Sequence, residues 1–321
     1  MLRTAKGANI TTVVKLCNGD ATNSWVQRAA DLTSALAPYA GKKVQLYFYG
    51  LGNPTLSTDF VLDDVALNVG SPTTPTTTPT TTPTSAMWRP AVGASWQLQL
   101  QGTIDTSVGA AVFDVDGFDT TSATVAALHQ KGKHVVCYVS GGSWEDWRSD
   151  ASQFPAAVLG SGNGWPGERW LDIRALTVLR PIMQNRITQQ CQGKGFDAVD
   201  WDNLDGYTNS TGFPLTYQDQ LAFNRMLAGL AHDAGLSVGL KNDLDQVGDL
   251  VSAFDFAVNE QCNEYNECGT LAPFITAGKP VFQVEYSLTT SQFCPNDLSM
   301  RFSGIKKSLD LMAPVTPCQP Y

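Results

Sequence analysis

The chain has 321 residues, 43% apolar and 16% charged, a composition that can bury a large core and excludes a mainly disordered chain. Twenty-one Lys and Arg against thirty Asp and Glu give a net charge of −9, which repels phosphate backbones and suits a cationic or neutral partner. No uninterrupted apolar stretch reaches the roughly 18 residues that span a bilayer, and eight Trp, nine Tyr and fourteen Phe supply ring faces for a core or for sugars.

Within residues 1–70, the segments 43–49 (KVQLYFY) and 60–69 (FVLDDVALNV) carry the β-branched and aromatic pattern of strands. With Trp25, Asp31-Leu32 and Tyr39-Ala40-Gly41-Lys42, they resemble the last strands of a carbohydrate-binding jelly-roll sandwich. Three or four strands are legible where a sandwich needs about seven, so a partial β-sandwich is expected. Met1 leads into strand-like sequence at 13–16 with no basic segment and apolar core of a leader, so the chain is expected to begin inside a domain. Residues 71–86, PTTPTTTPTTTPT between serines and then Ala86, have no bulky apolar side chain and should form an extended spacer.

The acidity lies after the spacer, where 15 basic face 25 acidic side chains. Six of the seven cysteines lie there too (Cys137, Cys191, Cys262, Cys268, Cys294, Cys318), while Cys17 stands alone before it. Their spacing fits no zinc pattern, and only three His exist, so neither metal nor other cofactor is expected. Three disulfides formed outside the cell are the expected reading, with free buried thiols as the alternative. Cys262–Cys268 is the natural local pair, and the rest of the connectivity stays open.

From residue 87 to 321, apolar runs at 96–100, 111–115, 135–139, 170–173, 196–201, 238–241, 254–259 and 280–285 alternate with helical stretches. Helices are expected at 121–131, at 179–191 with Pro181 in the first turn, and at 216–234 behind a Thr-x-x-Asp start. On the last of these Tyr217, Leu221, Leu227 and Leu230 form one apolar stripe. Eight strands with helical crossovers predict a (β/α)8 TIM barrel, with an open doubly wound sheet as the alternative.

Barrel chemistry sits at the C-terminal ends of the strands. Asp114 and Asp116 follow the second predicted strand, Asp172 the fourth, Asp200 and Asp202 the fifth, Glu260 the seventh, and Glu285 ends the eighth. Strand alternation puts Asp200 and Asp202 on one face, opposite Val199 and Trp201. A ring of carboxylates without His or Cys ligands points to glycoside hydrolysis, one acid protonating the leaving oxygen and another attacking carbon or activating water. The three His fall in helices or at a strand start, away from this mouth, and Ser140-Gly141-Gly142 is expected to let substrate approach the backbone.

Six motifs in order carry a family resemblance: Trp96-Gln97-Leu98-Gln99-Leu100-Gln101-Gly102; Phe113-Asp114-Val115-Asp116; Val136-Cys137-Tyr138-Val139-Ser140 with Trp144-Glu145; Gly195-Phe196-Asp197-Ala198-Val199-Asp200-Trp201-Asp202-Asn203-Leu204-Asp205-Gly206-Tyr207; Gly239-Leu240-Lys241-Asn242-Asp243; and Asn259-Glu260-Gln261-Cys262. Together they resemble glycoside hydrolase family 114, the endo-α-1,4-polygalactosaminidases, over roughly 88–310. The resemblance implies a secreted barrel enzyme with Asp202 and Glu260 as catalytic pair, acting on a cationic galactosamine-rich polysaccharide; a monomer without nucleic-acid or membrane partners is expected. One departure is Asp200-Trp201, where relatives often have Glu-Pro.

Around that pair, Asp114, Asp116, Asp172, Asp200, Asn203 and Glu285 are expected to bind substrate. Lys241 and Asn242 would orient a carboxylate, or Lys241 would serve as a salt-bridge partner. Trp144 and Tyr207 would stack on a sugar, or pack the barrel top. Two rival functions remain. Asp197-x-x-Asp200-x-Asp202 imitates the start of the family 18 chitinase signature, but Leu204 stands where that family's acid belongs. The other rival is an inactive barrel that only binds polysaccharide.

Overall fold

The computed structural model describes residues 87–320 and the short segments 2–4, 9–11, 32–39 and 42–46. The chain divides into two compact units, Met1–Thr80 and Thr81–Tyr321. In the first, strands β1 (Leu2–Thr4), β2 (Asn9–Thr11) and β3 (Val44–Leu46) form an antiparallel sheet of order β2-β1-β3, with one short helix, α1 (Thr33–Leu36). β3 lies inside the strand expected at 43–49. The strand expected at 60–69, Cys17 and the Thr/Pro segment lie outside the described residues.

The second unit is built on β4 (Trp96–Gln99), β5 (Val112–Asp116), helix α2 (Ser122–Gln130) and β6 (His134–Ser140). An insertion follows: β7 (Ser143–Glu145), β8 (Leu159–Gly162), β9 (Glu168–Leu171) and α3 (Leu176–Arg186). Then come β10 (Ala198–Asp202), α4 (Tyr217–Asp233), β11 (Ser237–Lys241), α5 (Val247–Leu250), β12 (Phe256–Glu260), α6 (Ala272–Thr276), β13 (Val281–Glu285), α7 (Thr290–Met300), β14 (Ser303–Lys306) and β15 (Thr316–Pro317).

One curled sheet runs β15-β14-β13-β12-β11-β10-β6-β5-β4, parallel throughout except for the antiparallel β15. Its edges approach each other, since Trp96 Nε1 on β4 donates to the Ser303 carbonyl of β14 at 2.7 Å. Among the described residues no backbone ladder joins β4 to β14. The architecture is a mixed α/β, TIM-barrel-like sheet.

One of the eight expected strands is corrected, and one strand of the sheet was not among them. Residues 170–173 were expected in the barrel, but β9 pairs antiparallel with β7 and β8 in a separate sheet. The eighth parallel strand is β14, whose sequence Ser-Gly-Ile-Lys offers a single apolar side chain to recognise. The helix expected at 179–191 starts at Leu176, so Pro181 lies inside it rather than in its first turn, and a π-helical turn follows at Ile187–Cys191. The third expected helix is bounded as anticipated. Thr216 and Asp219 form a reciprocal capping box, and Gly235 takes φ +75 just beyond the C-cap.

Alternation splits the core into two layers. Trp96, Leu98, Val112, Val136, Ala198, Phe256, Val258, Phe282, Val284 and Ile305 fill the inside of the curl. Val199, Trp201, Leu204, Val238 and Leu240 join the outer layer with Leu221, Leu227 and Leu230 of α4. Three disulfides brace this unit: Cys137–Cys191, Cys262–Cys268 and Cys294–Cys318. The first closes 54 residues and ties β6 to the turn after α3.

Candidate active site

The inner face that begins with Ala198 continues in phase through Asp200 to Asp202, so β10 delivers two carboxylates toward the axis. β11 delivers Lys241 and β12 Glu260 in the same way. Lys241 is only 3% exposed, and its Nζ lies 3.3 Å from Asp202 Oδ1, 3.6 Å from Glu260 Oε2 and 3.9 Å from Asp200 Oδ2. Both oxygens therefore lie within reach of one nitrogen, at 3.3 and 3.6 Å, and are no more than about 6.9 Å apart.

Each carboxylate of the pair also accepts a phenol. Tyr138 Oη donates to Asp202 Oδ2 at 2.5 Å, and Tyr286 Oη to Glu260 Oε1 at 2.6 Å. Sequence reasoning missed both tyrosines, although Tyr138 is in phase with Val136 and Tyr286 with Val284. The Asn203 amide completes the shell of Asp202 at 2.9 Å. Asn242 clamps Glu260 from both sides, its Oδ1 accepting from the Glu260 amide at 2.9 Å and its Nδ2 donating to Oε2 at 3.2 Å.

Burial alone would raise the Asp202 carboxyl. Lys241, the Tyr138 hydroxyl and the Asn203 amide outweigh it and hold Asp202 below its ordinary value. Burial also works to deprotonate Lys241, but Asp202, Glu260 and Asp200 keep it charged. Asp202 is thus an ionised carboxylate, partly exposed at the mouth, facing the Glu260 side chain.

Deeper in the curl, Asp114 and Asp200 are 1% and 0% exposed, and among the described residues no donor lies within hydrogen-bond distance of their carboxyl oxygens. Burial, then the charge of Asp200, pushes Asp114 well above its usual range. Burial, opposed by Lys241, raises Asp200 to about 7. This carboxyl pair lies in the curl, with Lys241 Nζ 3.9 Å from Asp200 Oδ2.

Several other expected site residues are also engaged elsewhere. Asp116 is held bidentate by Arg148 at 3.0 and 2.6 Å. Asp172 pairs with Arg174 at 2.7 and 2.8 Å on the loop after β9, not at a barrel strand end. Trp144 is packed against the outer core and donates Nε1 to the Ala151 carbonyl. Asn203, at φ +61, donates its side-chain Nδ2 to the Ser140 and Ser143 hydroxyls. Tyr207 is half-buried, edge-on to Tyr217. The glycines of the Ser140-Gly141-Gly142 turn serve the protein itself. A Cβ on Gly142 would lie 1.7 Å from the Asn203 carbonyl oxygen, and both glycine amides donate to the Asp202 carbonyl.

Glu285 is a correction of sense. With Phe282, Val284 and Tyr286 inward, residue 285 points outward, where it accepts from the Asn263 amide and Gln283 Nε2. Behind it Asp297 is fully buried, bonded by Asn263 Nδ2 at 2.7 Å. Burial, with Glu285 adding to it, pushes Asp297 up to about 7. A carboxyl raised on folding contributes stability that is complete below its unfolded value near 4 and lost as pH rises through about 7. Asp297→Asn is therefore expected to flatten the fall of Tm between pH 4 and 7. An unchanged slope in thermal unfolding would assign that fall to other groups.

The three His sit at the other end of the strands: His129 and His134 on Asp197, His232 on Asp255. Leu204, at the position where a family 18 enzyme carries its acid, is wholly buried in the outer core.

A profile of glycoside hydrolase family GH114 matches residues 77–320. The chain belongs to this family. It is a glycoside hydrolase. Ega3 of Aspergillus fumigatus, solved in complex with galactosamine, is 40% identical, with 73% of this chain and 99% of that one covered at a TM-score of 0.68. The glycoside hydrolase domain of PelA from Pseudomonas aeruginosa, at 13% identity over 69% of this GH114 chain and 97% of its own, shares the fold at a TM-score of 0.56. No curated protein matches the chain. Among the described residues of this GH114 member, no helix is long and apolar enough to cross a membrane.

Proposed function

We propose that this chain is an endo-acting glycosidase that cuts α-1,4-linked galactosamine-containing polysaccharide outside the cell with Asp202 and Glu260. The observation that carries this reading is the single Lys241 ammonium within 3.3 and 3.6 Å of the two carboxylates, which sets them across one mouth. A facing separation of at most about 6.9 Å spans the whole retaining range, ~5–5.5 Å, and only the lower end of the inverting one.

In this reading Asp202, kept ionised, attacks the anomeric carbon while Glu260 protonates the glycosidic oxygen. The leaving chain departs with that proton. Glu260 then takes a proton from water as the water oxygen displaces Asp202 from the anomeric carbon, restoring both groups. Similarity to a protein solved with galactosamine and the acidity of the unit support a cationic sugar as substrate.

The curled sheet is taken as a (β/α)8 barrel that lacks a helix between its first two strands. The whole is taken as a monomer with a carbohydrate-binding-like segment at 1–70, a spacer at 71–86 and the hydrolase at 87–321. The three disulfides support an oxidising, extracellular setting. Digestion of defined galactosamine oligomers tests the chemistry. Internal cuts whose first product keeps the α configuration are expected. A β product would overturn the retaining assignment, and binding without new reducing ends would favour a polysaccharide-binding protein.

A further inference from the structure

Arg148 is paired with Asp116, Arg174 with Asp172 and Lys241 with three carboxylates. Among the described residues no ion pair involves Asp205, on the loop after β10, Asp243, just after β11, or the exposed Asp245 that follows it. Asp205 and Asp243 sit at the C-terminal ends of their strands, and Asp205 feels the charges of Asp202 and Glu260. Asp243 is 3% exposed, and its Oδ1 is buried with no hydrogen-bond partner.

The protein holds this arrangement deliberately in place. Asn224 of α4 donates one amide to the Leu204 carbonyl at 3.0 Å and to Asp243 Oδ2 at 2.8 Å. Gln220, one turn earlier, donates to Asn224 at 2.8 Å and accepts the Tyr207 amide at 3.3 Å. Asn242 and Asp243 both adopt left-handed backbone, at φ +49 and +46, with Asn242 turned to Glu260 and Asp243 to Asn224. Two wholly buried polar side chains thus fasten the Asp205 loop and Asp243 to one helix. A buried carboxylate oxygen left without a donor costs free energy unless a ligand supplies one.

We propose that Asp205 and Asp243 form the subsite that recognises the ammonium group of a galactosamine unit beside the catalytic pair. This rests on the galactosaminidase reading and adds its selectivity: an N-acetyl group offers no charge and two fewer N–H than an ammonium. The groups facing Asp243 are Asp205, Asp245, Tyr207, Tyr217 and the amide of Asn224. Burial, then Asp205, pushes Asp243 up to about 9, so the free site holds a neutral carboxylic acid. Burial, then Asp202, raises Asp205 to about 6. An arriving ammonium favours the Asp243 carboxylate, and the displaced proton passes to buffer.

Galactosamine and N-acetylgalactosamine oligomers, with the full chain and with Asp205→Asn and Asp243→Asn, provide the test. Both substitutions keep the side-chain shape, and Tm reports whether the fold survives. Each is expected to lower kcat/KM about tenfold more on the deacetylated oligomer than on the acetylated one. Calorimetric titration of galactosamine at pH 7 in two buffers should show release of up to about one proton, lost in Asp243→Asn. Equal losses on both oligomers, or binding without proton release, would overturn the assignment while leaving the glycosidase reading intact. A wild-type chain that cleaves neither oligomer would remove both.

Discussion

Asp202→Asn should abolish turnover, lowering kcat at least about 10³-fold on galactosamine oligomers while Tm stays close to that of the parent chain. The substituted amide has nearly the same shape, so the contacts of its Oδ1 with the Asn203 amide and of its main chain with Gly141 and Gly142 survive. What it loses is charge and one acceptor. Tyr138 Oη and Lys241 Nζ, now on Asp202 at 2.5 and 3.3 Å, would meet an amide that cannot attack carbon. Substrate affinity should change far less than kcat, because the mutation removes an interaction made in the transition state. A variant that keeps more than a tenth of parental kcat would remove Asp202 from the catalytic pair.

Much of this site was legible because alternation along short strands is strict. Asp200 and Asp202 point inward and Trp201 outward for the same reason that Ala198 is inside and Val199 outside. The same rule, applied one step too loosely, misplaced Glu285. Phe282 and Val284 fix the phase, and residue 285 falls on the outer face. Acids counted as open to substrate proved to be paired, because a partner such as Arg148 is 32 positions from Asp116 and nothing local predicts their meeting. The fourth strand was misread because a half-buried hairpin strand and a barrel strand carry similar apolar runs. β14 was invisible because four residues with one apolar side chain carry no period.

The residues that sequence reading passed over share one character. They are polar groups on buried faces: Gln220 and Asn224, four apart on α4, interrupt the apolar stripe of Leu221, Leu227 and Leu230 without breaking the helix. Two buried amides at that spacing are a signal, since a helix face packed on a sheet gives up such positions only where something polar must be held. Asp243 carries a second signal. Consecutive Asn and Asp after a strand are the side chains that tolerate left-handed backbone, and here both adopt it.

Replacing Lys241 should also be damaging, though less than replacing Asp202, and it should leave a distinct signature in pH. Lys241→Met fills about the same volume but removes the one cation shared by Asp200, Asp202 and Glu260. Burial then acts on Asp202 with only the Tyr138 hydroxyl and the Asn203 amide against it, so its carboxyl rises. Less of it is ionised at neutral pH, and the acid limb of kcat/KM should move upward by about one unit or more, with kcat at pH 7 down at least about tenfold.

Stability should change with the same sign. Carboxyls raised on folding give stability that is lost as pH climbs through their folded values, so the variant should be closest to the parent in acid and should fall away from it above neutrality. Lys241→Arg separates charge from shape: it keeps the cation but must fit a wider group into a buried slot, and its acid limb should stay near the parental position. If Lys241→Met lowers activity by the same factor at every pH, the lysine only packs the mouth, and the ionised state of Asp202 depends on Tyr138 and Asn203 instead.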